Sequence, residues 1–119
     1  MTVHSLLNQK AHKLEVINLV TDDLLKDFKE RMTISHSSED SKLKNLLSSS
    51  YASIKSKCGF FELDGETDID TRGKELVFER SRYAYNDAVE FFEDNFLSDI
   101  TSLGIDIAYK EDGDSIEEV

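Results

Sequence analysis

Apolar residues along this chain recur at the three- and four-residue spacing of an amphipathic helix in three places. The first is TDDLLKDFKERM, where Leu24, Leu25, Phe28 and Met32 share a face. Thr21 is the natural N-cap, and Asp22 and Asp23 put negative charge at the positive end of the helix dipole. TISHSS breaks the pattern. Ser37 or Ser38 is expected to cap a second helix, in which Leu43, Leu46, Leu47, Tyr51, Ile54 and Cys58 form one stripe, with Gly59 as its stop. Ser48, Ser49 and Ser50 fall on the flanks of that stripe, where small side chains let another helix approach closely.

The third helix is expected to be the longest, from about Lys74 to Phe96. Leu76, Val77, Tyr83, Ala84, Ala88, Phe91 and Asn95 follow its period, while Phe78, Tyr85, Phe92 and Phe96 widen the apolar surface beyond one stripe. A three-helix core is not expected to cover all of it, and these rings read as core or subunit interface. After LSDITS, read as a turn, LGIDIAY alternates Leu103, Ile105, Ile107 and Tyr109 against Gly104, Asp106 and Ala108. Period-two alternation marks a strand with one buried face. A lone strand must pair with a partner or a neighbouring subunit to satisfy its backbone, which makes these four residues candidate docking positions. The predicted fold is therefore mainly α, a small helical bundle of three main helices with a C-terminal β-strand. Residues 1–20 read as a helical arm, on Leu6, Leu7, Leu14, Ile17 and Val20, ahead of a domain over 21–110 and an acidic flexible tail over 111–119.

Length and composition fit this outline: 119 residues make one domain with one modest core, and no apolar run approaches the length needed to cross a bilayer. The N-terminus lacks the apolar core and small-residue cleavage site of a secretory signal, which makes the cytoplasm the expected compartment. The absence of proline favours a helical chain without an internal linker. The net charge of −11 is uneven: residues 1–58 carry nine Lys/Arg and seven Asp/Glu (+2), and 59–119 carry five and eighteen (−13). Such a surface opposes nucleic-acid binding, which relies on cationic patches that displace counterions from phosphate.

Candidate chemistry is sparse. His4, His12 and His36 stand at no metal-ligand spacing with the single Cys58, and no nucleophile elbow, Walker sequence or dinucleotide fingerprint is present. Cys58 reads as a small buried apolar residue. ELDGETDIDTRG places Asp64, Glu66, Asp68 and Asp70 in one acidic stretch, with Glu75 where an EF-hand would put its bidentate ligand. Ile69 occupies the position where that loop needs glycine, so a solvated acidic loop is the expectation. Glu90 and Asp94 read as a solvated helix face rather than a catalytic pair. Neither an enzyme nor a cofactor or metal site is expected.

The order of elements resembles the head-tail connector family of long-tailed bacteriophages, also called adaptor or head-completion proteins. The resemblance covers about residues 20–110: VTDDLLKDFKERMTIS, then SSEDSKLKNLLSSSYASIKSKCG, a variable loop, LVFERSRYAYNDAVEFFEDNF and SLGIDIAYK. Its most telling parts are Asp40 with Leu43, the helix end at Cys58–Gly59, the Tyr/Asn pair in RYAYND and the closing SLGIDI.

The resemblance implies a non-catalytic virion protein at the head-tail interface, present in the host cytoplasm before assembly. Its subunits form a ring of about a dozen copies beneath the portal protein, extending the DNA channel and receiving a stopper or tail-completion protein. On this reading Leu103, Ile105, Ile107 and Tyr109 would dock on the portal or an adjoining ring, and Phe78, Tyr85, Phe92 and Phe96 would lie between copies. Asp64, Glu66, Asp68 and Asp70 would line the channel or a ring contact, where like charge lets DNA slide without specific binding. The competing reading is an acidic helical module that regulates a basic DNA-acting protein.

Overall fold

The computed structural model describes residues 20–117, with side chains over 20–112. The expected arm over 1–20 therefore lies outside the described residues except for Val20, which is buried against the core. Helices α1 (Asp22–Met32), α2 (Asp40–Cys58) and α3 (Asp68–Tyr85) are followed by a 3₁₀ turn (Val89–Phe91), a short α4 (Phe92–Asn95) and α5 (Leu97–Glu117). Among the described residues there is no strand, and the fold is a mainly helical bundle.

The N-terminal half follows its sequence pattern closely. Thr21 Oγ1 accepts from the Leu24 N–H at 3.2 Å, and Leu24, Leu25 and Phe28 are buried. Two ion pairs tie α1 to α2, Lys29 with Asp40 at 2.7 Å and Lys44 with Asp22 at 2.8 Å. Helix α2 has Glu39 rather than a serine at its N-cap position and buries Leu43, Leu47, Tyr51, Ile54 and Cys58. It ends at Gly59, whose φ of 104° is open to glycine at little cost. Of the three serines, Ser50 is fully buried at the α2–α3 contact, where Ser81 also donates to the Leu46 carbonyl at 3.3 Å, while Ser49 is exposed.

Two expectations are corrected. The long third helix is broken: it stops at Tyr85, and Asn86 caps it while Asp87 adopts a left-handed φ of 56°. The chain then folds back and packs Tyr83, Phe92 and Phe96 as one cluster, with ring centroids 5.0 to 5.8 Å apart. The apolar excess that suggested a subunit interface is largely consumed inside the monomer.

The predicted strand is the middle of α5. Ile100, Leu103 and Ile107 stand at helical spacing and face the core, whereas Ile105 and Tyr109 point outward. Alternating residues share a face on a strand but split between two faces on a helix, which is why the alternation misleads. Helix α5 also runs on through residues 111–117, within the expected tail. No helix among the described residues is long and apolar enough to cross a membrane.

Candidate interaction surfaces

The acidic stretch is a built turn rather than a free loop. Tyr51, buried on α2, donates its hydroxyl to the Phe61 carbonyl at 2.6 Å and packs edge-on against the Phe61 ring. This fixes residues 60–63 against the bundle, with Phe61 and Leu63 buried and Phe60 exposed. Thr67 then starts α3: its hydroxyl accepts from the Asp70 N–H at 3.1 Å. The Asp70 carboxylate reaches back across the turn and accepts from the Glu62 N–H at 2.8 Å.

Burial alone would raise the pKa of Asp70. The hydrogen bonds from Glu62 and Thr67 and the charge of Lys110 outweigh it and hold the group below the ordinary carboxylate range. Asp70 is thus buried and committed to the fold, which corrects its assignment to a channel surface. Asp64, Glu66 and Asp68 remain exposed. Asp68 shares Arg72 with Asp106, and Glu75 is held in a two-pronged pair by Arg31, at 2.7 and 3.0 Å. No group of three or more His, Cys, Asp or Glu side chains among the described residues is placed to hold a metal ion.

The four aromatics proposed for a subunit interface separate. Phe78 and Phe92 are buried in the monomer core, at 2% and 0% exposure, and cannot meet a neighbour. Tyr85 and Phe96 are partly buried; Tyr85 donates to Glu39 at 2.9 Å, joining the end of α3 to the start of α2. Leu103 and Ile107 are likewise internal, so the four docking candidates reduce to Ile105 and Tyr109, exposed at 62% and 79%.

Leu97 stands two turns before Ile105 and is exposed at 60%, so Leu97, Ile105 and Tyr109 form an outward ridge on α5. Sequence reasoning missed Leu97 because it fell in a presumed turn. Carboxylates flank this ridge at Asp99, Asp106, Glu111 and Asp112.

Comparison with protein-family models, curated proteins and solved structures yields no match. A cleft of about 480 Å³ between α3 and α5 is lined by Arg72, Glu75, Leu76, Glu79, Phe96 and Asp99. Three of its charged groups already answer one another or near neighbours: Arg72 pairs with Asp106, Glu75 with Arg31, and Glu79 with Arg82.

Proposed function

We propose that this chain is a head-tail connector subunit of a long-tailed bacteriophage, a structural protein whose copies form a ring between the portal and the stopper or tail-completion protein. The observation that carries the reading is the apolar ridge Leu97, Ile105 and Tyr109, left exposed on a helix whose Ile100, Leu103 and Ile107 are already buried in the core. Apolar ridges of this kind are used in assembly. The resemblance over residues 20–110 supplies the identity of the assembly. Of the segments that carry it, the first two are helices in the fold, whereas the third breaks after Tyr85 and SLGIDI is helical rather than extended.

On this reading the α5 ridge replaces the strand as the element that meets the portal or a neighbouring ring. Asp64, Glu66 and Asp68 supply the like charge that keeps passing DNA unbound. The experiment is to mix the purified protein with the portal ring encoded in the same genome and image the mixture by electron microscopy. A second ring stacked coaxially on the portal is expected; a portal that stays bare at high protein concentration rejects the reading.

The charge of −13 over residues 59–119 favours a second reading, an acidic module that covers the basic surface of a DNA-acting protein. The two separate on Ile105→Asp with Tyr109→Asp. A connector loses ring or portal contact, whereas a module that binds through charge keeps or gains affinity.

A further inference from the structure

The chain has four arginines, and three of them are satisfied internally. Arg31 is paired with Glu75 and Glu79, Arg72 with Asp68 and Asp106, and Arg82 with Glu79. Arg80 differs. It is partly buried on α3, and its Nη1 donates to Ser50 Oγ at 3.1 Å, but it has no ion pair among the described residues. Ser50 is wholly buried on α2, so the guanidinium is anchored at the seam where the two long helices meet.

Burial pushes the Arg80 pKa below its ordinary value, and no carboxylate among the described residues offsets that effect. A shortage of acids does not explain this, because residues 59–119 alone carry eighteen. A guanidinium has five donors, of which Ser50 engages one, and no buried side-chain nitrogen among the described residues lacks a partner, so the remaining donors open to the surface. Its planar fork suits a carboxylate or a phosphate approaching from outside. A phosphodiester backbone would have to approach a molecule of net charge −11, which disfavours it against a carboxylate brought in on a matching protein surface.

We infer that Arg80 receives a carboxylate from a neighbouring copy of this chain. The inference rests on the ring reading above and adds to it the charged anchor of the contact between copies. A head-to-tail ring joins two different patches, so every copy can present Arg80 on one side and an acid on the other. Exposed carboxylates without an ion pair among the described residues are at hand, among them Glu90, Asp94 and Asp99.

The test compares wild type with Arg80→Gln, which keeps a donor for Ser50 but removes the charge, and with Arg80→Lys, which keeps the charge but loses the fork. Ring formation is followed by mass photometry and sedimentation over a concentration series at low and high salt, alone and on the portal. Melting of the unassembled subunit is recorded alongside. Arg80→Gln is expected to need at least about tenfold more protein for half-assembly, with subunit Tm unchanged and salt dependence weakened. Arg80→Lys should fall between. Rings formed by Arg80→Gln at the wild-type concentration overturn this inference and leave the ring reading standing, as does a lowered Tm with unchanged assembly, which assigns Arg80 to the fold alone. A wild-type protein that forms no ring, alone or on the portal, overturns both.

Discussion

Two glycines inside helices give opposite expectations from the same substitution. Gly73 lies in α3 directly over the buried Phe61 ring, and a Cβ there would fall far inside van der Waals contact of its Cδ2 and Cε2 atoms. The ring cannot easily retreat. It packs edge-on against Tyr51 with centroids 5.2 Å apart, and its own carbonyl is held by the Tyr51 hydroxyl. Overpacking of this kind costs about 1–3 kcal/mol, with the upper end fitting a ring clamped on two sides. Replacing glycine by alanine in a helix interior returns about 1 kcal/mol.

Gly73→Ala should therefore destabilise by about 2 kcal/mol, a fall in Tm of roughly 6–10 °C for a chain of this size. Gly104 in α5 is the control. A Cβ there would meet nothing nearer than the Cys58 Cα at 3.6 Å, an ordinary contact, so helix propensity alone should raise stability by about 0.5–1 kcal/mol. Both variants would be melted by calorimetry under conditions where the protein is unassembled. Shifts of the same sign would refute the packing of α3 over Phe61.

Other outcomes follow from the same contacts. Tyr51→Phe leaves the Phe61 carbonyl without its donor in a buried place and should cost about 1–3 kcal/mol, read from chemical denaturation. Ile105→Asp and Tyr109→Ser should leave Tm almost unchanged, whereas Leu103→Asp or Ile107→Asp should prevent folding; equal effects at all four would argue for the strand rather than α5. Asp70 has a depressed pKa in the folded state, so its stabilising contribution is complete above the unfolded carboxylate value of about 4 and is lost as pH falls through the lower folded value. Asp70→Asn should accordingly be less stable at neutral pH and lose less stability between about pH 5 and pH 2 than wild type, measured by denaturant titration at each pH.

How far the fold can be read from the sequence depends on whether local signals and the core agree. In α1 and α2 they do: Thr21 caps, Leu43, Leu47, Tyr51 and Ile54 face inward, and Gly59 stops the helix. The break after Tyr85 was masked because the aromatics beyond it keep helical spacing while the chain folds back toward the same cluster. Asn86–Asp87 was the one local sign of a turn there. In α5 two periods overlap at Leu103 and Ile107, and only the addition of Ile100 favours the helical one. The acidic stretch carried a T-x-x-D capping pattern at Thr67 and Asp70, which distinguishes an acid committed to a helix start from its exposed neighbours. Nothing local marks Arg80, because a missing partner is visible only once the helices are packed.

Cys58 lies beneath α5 and donates its thiol to the Ile100 carbonyl at 3.3 Å, and burial pushes its pKa up. A protonated, covered thiol reacts slowly, so its rate of alkylation is a clock for the lifting of α5 from the bundle. As the chain has no other cysteine, that clock runs without interference in the unmodified protein. Timed before and after the subunit joins a ring, it would tell whether assembly clamps this helix or frees it.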